Sequence, residues 1–134
     1  MWWPAVAMAF LTFAVAIRMY RVRIAQIKRE KIRLQTVATS RQAADKLTDS
    51  GPADNYRNLF ELPVLFYLAL ALCANTGHVN VWTLSLAWLF VATRVVHSWI
   101  HCTYNRVIHR FYAFVSGYFV LVMLWIVIAL GLLR

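Results

Sequence analysis

Four polar residues lie at the mouth of an otherwise apolar stretch, and their types could hold a charged ligand. Asn58 and Glu61 are three residues apart, Asp54 lies one turn earlier, and Arg57 lies four residues before Glu61. On one continuous helix these side chains would share a face and could reach one another. A carboxylate near the hydrocarbon layer is costly and is normally tolerated facing a bundle interior. The pattern therefore predicts a site at Glu61, with a structural Arg57–Glu61 ion pair as the alternative.

Further polar residues are expected at the same membrane level, near the ends of the later apolar segments. They are Arg94, His97, His101, Tyr104, Arg106, His109 and Arg110. Their density predicts a pocket that opens to the cytoplasmic face. A belt of snorkelling cations and amphipathic rings at the interface is the plainer interpretation.

A metal site is the weaker interpretation of the histidines. His97 and His101 are four residues apart and could chelate a metal ion from one helical turn. Only Glu61 and His109 are evident as further ligands, so we favour a hydrogen-bonded pair of interfacial histidines and predict no metal. The sequence also contains neither a glycine-rich phosphate loop nor a Ser/His/Asp spacing.

The composition places these residues in a membrane. Of 134 residues, 62% are hydrophobic and only 14% are charged, which is far from a soluble domain. So short a chain leaves no room for a separate soluble catalytic domain. The net charge of +9 could suggest nucleic acid, but most of the basic residues lie between Arg18 and Lys46, beside an apolar segment. Lys and Arg accumulate on the cytoplasmic side of spans and bind anionic lipid, so we expect a lipid bilayer and no nucleic acid as partner.

The hydropathy pattern predicts an all-α integral membrane protein with a single domain over residues 1–134. Its four spans are expected at about 2–20, 56–76, 81–100 and 111–133. Residues 21–55 are expected to form a cytoplasmic basic stalk, which continues the first helix, and a loop over about 35–52. The charge distribution places both termini on the non-cytoplasmic side, with an uncleaved first helix.

Smaller features refine this picture. Pro63 is expected to kink the second helix just above Glu61. Cys73 and Cys102 lack metal-binding spacing and are interpreted as packing residues. Ala113 and Gly117 form a small-x-x-x-small pair that either admits a helix of another subunit or relieves crowding within one subunit.

Two stretches of the chain resemble a known family. They are DNYRNLFELPVLFYLAL and RVVHSWIHCTYNRVIHRFYAFVSGYFVLVMLW. Asn-x-x-Glu opens the second helix, and an Asn/His-Arg start to the fourth helix is followed by aromatic residues. These motifs resemble the bacterial branch of the membrane-associated proteins in eicosanoid and glutathione metabolism (MAPEG). The resemblance runs from the second span to the C-terminus.

The resemblance implies a four-helix homotrimer that binds glutathione between adjacent subunits at the cytoplasmic side. It further implies a transferase or peroxidase that acts on lipophilic electrophiles in the cell membrane, here a bacterial inner membrane. By position, Asn58 and Glu61 would hold the amino end of glutathione, and Arg110 would be the catalytic arginine that stabilises its thiolate. The remaining implied glutathione-binding residues are Arg57, Arg18, Tyr104 and His101.

One departure from the family pattern bears on activity. Asp54 occupies the position at which the eukaryotic enzymes have an arginine, and a negative charge there should weaken glutathione binding. Two other functions therefore stay open. The chain could be a non-enzymatic trimer that keeps the fold for assembly or lipid binding, or a metal-dependent membrane oxidoreductase that uses His97 and His101.

Overall fold

Six α-helices build the chain over residues 1–133, which the computed structural model describes apart from the side chains of Ser40 and Ala44. They are α1 (Trp2–Arg29), α2 (Ser40–Lys46), α3 (Gly51–Asn58), α4 (Leu62–Asn75), α5 (Val81–Cys102) and α6 (Val107–Leu132). Four segments are long and apolar enough to cross a membrane: α1, α3 with α4, α5, and α6. The predicted all-α, four-span membrane architecture is confirmed.

The centre of the bundle is α5. It contacts α1, α3, α4 and α6, and its interface with α6 is the most extensive. Its buried residues recur at three- and four-residue steps from Thr83 to His101, so one face of the helix is enclosed by neighbours. On that face Phe90 stacks on Phe66 of α4, with ring centroids 4.5 Å apart. Polar residues on the same face of α5 are thereby carried into the bundle.

The first helix continues beyond the predicted end of its span at Tyr20. With 28 residues it is about 42 Å long at 1.5 Å per residue, which exceeds the roughly 30 Å hydrocarbon layer. Near its end the amide Nε2 of Gln26 donates to Thr48 Oγ1 at 3.1 Å and to Glu30 Oε1 at 3.0 Å. The extension is thus fastened to the segment that leads into α3.

The expected loop over residues 35–52 is more ordered than predicted. It contains a 3₁₀ turn, Leu34–Val37, and the helix α2. Thr39 Oγ1 accepts from the backbone N–H of Gln42 at 3.3 Å, and the Gln42 side chain accepts from the backbone N–H of Thr39 at 3.2 Å. This reciprocal capping box stabilises the start of a helix, and its Thr-x-x-Gln spacing was overlooked in the sequence.

Gly51 and Pro52, at the end of the predicted loop over residues 35–52, belong instead to a helix. Both residues lie in the first turn of α3, where the missing N–H of proline costs little. A Cβ on Gly51 would lie 2.8 Å from the backbone oxygen of His101. The glycine therefore lets α3 approach the end of α5 closely, and the second span begins earlier than the predicted Tyr56.

The predicted kink at Pro63 is present as a complete interruption between α3 and α4. The N–H groups of Phe60 and Glu61 bond back three residues, to Arg57 and Asn58, in a tightened turn. Proline lacks an N–H and its ring clashes with the carbonyl four residues earlier, which here belongs to Leu59. Glu61 consequently lies in the break, outside the helical face that carries Asp54 and Arg57.

The connection between the last two spans is shorter than expected. Val107 to Arg110 form the first turn of α6, and His101 belongs to α5, so the linker is Thr103–Arg106. Asn105 in this linker has a positive φ of 46°. Asparagine tolerates the left-handed region better than most residues, which permits so tight a connection.

Candidate functional site

Two of the predicted site residues meet in a cleft where α3, α5 and α6 converge. The cleft has a volume of about 170 Å³ and is lined by Asn58, His97, Val107, Arg110, Phe111 and Phe114. Its polar groups are an amide, an imidazole and a guanidinium, and its remaining wall is apolar. Such a cleft can receive a small anionic group beside a lipophilic one.

Arg110 is held in place by a residue whose role the sequence did not reveal. Its Nη1 donates to Asn105 Oδ1 at 2.8 Å. Asn105 is itself fixed, because its backbone N–H donates to the carbonyl of Ile100 at 2.9 Å. An asparagine just beyond a helix end is a recognised signal for the left-handed conformation, and it could have indicated this anchor.

The acidic and basic residues of the second span lie outside this cleft. Arg57 pairs with Asp54, with Nη1 and Oδ1 3.8 Å apart; the Arg57 side chain is largely exposed and that of Asp54 is about half exposed. Asp54 also accepts a hydrogen bond of 2.8 Å from Ser50 Oγ. The alternative Arg57–Glu61 ion pair is not formed in the described structure, because the break at Leu59 to Glu61 removes Glu61 from the α3 face. Glu61 is exposed.

Arg18 lies on a different face of the chain. It lines an apolar groove of about 430 Å³ between α1 and α5, together with Ser98, Trp99 and Cys102. Residues that the family resemblance assigns to glutathione are thus separated by the packing. One chain brings Asn58 and Arg110 together, and it leaves Arg18 and Glu61 elsewhere.

Of the two aromatic candidates for glutathione binding, Tyr104 is exposed and His101 is buried. The Tyr104 hydroxyl lies 3.1 Å from His109 Nδ1, and both residues are exposed. His101 is buried inside the bundle, with its ring edge-to-face against His97 at a centroid distance of 5.5 Å. The expected hydrogen bond between the two histidines is not formed in the described structure. Within residues 1–133, no three His, Cys, Asp or Glu side chains are placed to hold a metal ion.

A buried polar layer lies beside the cleft, and its central residue was missed. Asn55 is fully buried, its Oδ1 accepts from Ser98 Oγ at 3.3 Å, and its Nδ2 lies 3.5 Å from Cys102 Sγ. The second span was expected to begin at Tyr56, so Asn55 was assigned to the cytoplasmic segment before it. Cys73 packs in the core as expected, and its thiol donates to the carbonyl of His78 at 3.1 Å.

Arg94 is the largest fully buried side chain in the described structure. Its guanidinium lies 5.6 Å from the Phe90 ring centroid and 5.0 Å from that of Phe114. A Cβ on Gly117 would lie 2.6 Å from Arg94 Nη2, so the glycine makes room for this arginine. At Gly117 the small-x-x-x-small pair relieves crowding within one chain, and Arg94 does not snorkel to the interface.

Comparison with known proteins gives one match. The model of the MAPEG family matches residues 1–130 of the chain. Neither curated proteins nor solved structures gave a match.

Proposed function

The chain belongs to the MAPEG family, a family of four-helix membrane proteins, and from this premise we propose that it is a glutathione-dependent transferase or peroxidase acting on lipophilic electrophiles. The observation that carries the proposal is the cleft in which Asn58 and Arg110 meet. These are two of the residues that the family resemblance assigns to glutathione. In the proposed conjugation the glutathione sulfur forms a bond to an electrophilic carbon, and the electron pair of the broken bond leaves with the displaced group.

The cleft offers what this chemistry needs. A thiol reacts as its thiolate, and a neighbouring cation lowers the pKa of the thiol. Arg110 supplies that cation, and Asn105 fixes its direction through the 2.8 Å hydrogen bond. The apolar side chains of Val107, Phe111 and Phe114 form the other wall, against which a lipophilic electrophile can lie.

A single chain provides only part of the proposed site. Binding pockets for small molecules usually measure roughly 300 to 1,000 Å³, and this cleft measures about 170 Å³. Glu61 and Arg18, which the resemblance also assigns to glutathione, are exposed on other faces. In a cyclic trimer, one surface of each subunit meets a different surface of its neighbour. We therefore propose a homotrimer in which a neighbouring chain completes the cleft.

Native mass spectrometry of the purified protein in mild detergent tests the assembly. We expect a trimeric mass, and a monomer that persists in several mild detergents would contradict the shared site. Formation of the glutathione thioether from an aryl halide, followed on the same preparation, tests the activity. Trimers without turnover and without bound glutathione would instead support the second candidate function.

That second candidate is a non-enzymatic trimer that binds lipid. It is favoured by the groove of about 430 Å³ between α1 and α5, where an acyl chain could lie with its anionic headgroup near Arg18. The pairing of Arg57 with Asp54 also favours it, because this pairing occupies the cation that stands closest to Asn58 on α3. Lipid retained through purification, with no retained thiol, would distinguish this candidate.

The protein is a multi-pass membrane protein, as its family and its four apolar segments require. The location in a bacterial inner membrane stays a prediction, and so does the placement of both termini on the non-cytoplasmic side.

A further inference from the structure

Arg94 brings a permanent positive charge into the bundle, and the described part of the chain gives it no counter-ion. The ion pairs found among residues 1–133 are Arg29–Glu30 and Arg57–Asp54. Nη2 of Arg94 donates to the carbonyls of Phe114 and Ala113, at 3.1 and 3.4 Å, but its buried Nε and Nη1 have no hydrogen-bond partner. Because a guanidinium stays protonated in proteins, this charge is not removed by losing a proton.

The charge lies directly behind the wall of the cleft. Phe114 and His97 both line the cleft, and the Arg94 guanidinium lies 5.0 Å from the Phe114 ring centroid. The other charged or titratable groups that face His97 are His101 of α5 and Arg110 of α6. Asp54 of α3 is the carboxylate close enough to interact electrostatically with His101. Two positive charges therefore act at the cleft: that of Arg110 at its surface and that of Arg94 behind its wall.

We propose that the uncompensated charge of Arg94 stabilises an anion bound in the cleft, without touching that anion. The inference rests on the proposed function for the identity of the anion, which is the thiolate of glutathione. Charges interact over longer distances in a bundle that excludes water than they do in bulk solvent, so contact is not required. Arg110 would then be the contacting cation, and Arg94 would be a positioning residue that acts through the field at the cleft.

A purely structural role for Arg94 makes the opposite prediction about stability. A structural arginine stabilises the empty protein, so its removal should lower the unfolding temperature. On our proposal the unpaired charge of Arg94 destabilises the folded protein until an anion binds in the cleft. Replacing a buried ion pair by apolar side chains of similar size is often neutral or stabilising, and a buried charge without a partner is destabilising in itself. Methionine is long and flexible enough to keep contacts with the rings of Phe90 and Phe114.

The experiment compares wild type, Arg94→Met, Arg94→Lys and the control Arg106→Met in the full-length protein. Arg106 is an exposed arginine just before α6 that does not line the cleft. The thiolate absorbance of bound glutathione is titrated against pH, and thermal unfolding is followed without glutathione. Arg94→Met should raise the titration midpoint by about one pH unit and leave the unfolding temperature equal or higher. Arg94→Lys should have a titration midpoint close to that of wild type, and Arg106→Met should have the midpoint of wild type.

Each other result is decisive. An unchanged midpoint in folded Arg94→Met overturns the inference and leaves the proposed function intact. Loss of folding or a lower unfolding temperature in Arg94→Met shows that Arg94 is structural, and this also overturns it. If wild type binds no glutathione, the proposed function fails, and the inference fails with it.

Discussion

Arg110→Ala is expected to slow glutathione conjugation about 100-fold, the usual loss when one preorganised donor to a developing charge is removed. The weakening of glutathione binding should be smaller, less than about tenfold, because the cation interacts mainly with the thiolate and less with the neutral thiol. Arg110 lines the cleft and is aimed by Asn105. Turnover of an aryl halide and calorimetric titration of glutathione, measured on the same preparation, separate the two effects.

Arg106→Ala is the matched control for this substitution. It removes a cation of the same type four residues away, outside the cleft, so rate and affinity should stay near those of wild type. Equal rate losses in Arg106→Ala and Arg110→Ala would show that only general positive charge matters. Unchanged turnover in Arg110→Ala would remove this residue from the mechanism.

Asn55→Asp is expected to destabilise the protein by about 3 to 5 kcal/mol at neutral pH, the cost typical of leaving an uncompensated charge buried. Asn55 is fully buried between Ser98 and Cys102, and no described cation is paired with it. The substitution keeps the shape of the side chain and replaces the amide by a carboxylate. Thermal and denaturant unfolding in detergent, followed by circular dichroism, would measure the loss.

Asn80→Asp provides the control for Asn55→Asp. Asn80 is exposed and caps α5, where its Oδ1 accepts from the backbone N–H groups of Trp82 and Thr83. Aspartate is an equally good N-cap residue, so this variant should be as stable as wild type. Similar stabilities for the Asn55 and Asn80 variants would mean that Asn55 reaches water, and the buried polar layer would be wrong.

The spans and the interruption at Pro63 could be predicted because each depends on local sequence. A stretch of about 20 apolar residues is enough to indicate a span. Proline breaks the hydrogen-bonding pattern of its own helix, whatever surrounds it. The start of the second span was predicted less accurately, because Gly51 and Pro52 are residue types typical of a loop although they begin α3. The capping box at Thr39 and Gln42 was readable in the sequence and was overlooked.

The candidate site was predicted only as a set of residues at one membrane level. The depth of a residue in the membrane follows from hydropathy. The side of the bundle on which its side chain lies depends on helix packing, which sequence patterns do not specify. Asn58 and Arg110 share a cleft, whereas Glu61 is exposed outside it. Arg94 was assigned either to a pocket or to an interfacial belt, and it lies inside the bundle because Gly117 leaves space for it. The burial of Arg94 depends on how α6 packs against α5, which the sequence alone does not show.

The proposed function depends most directly on whether glutathione binds with Glu61 as partner of its amino group. Calorimetric titration of purified wild type and Glu61→Gln in the same detergent measures this. Glutamine keeps the shape of Glu61 and removes its charge, so binding should weaken by about 1.5 to 3 kcal/mol, as for a hydrogen bond to a charged group. We expect wild type to bind glutathione at millimolar concentration or below and Glu61→Gln to bind more weakly by that amount. Absence of binding to wild type at millimolar glutathione would contradict the proposed function.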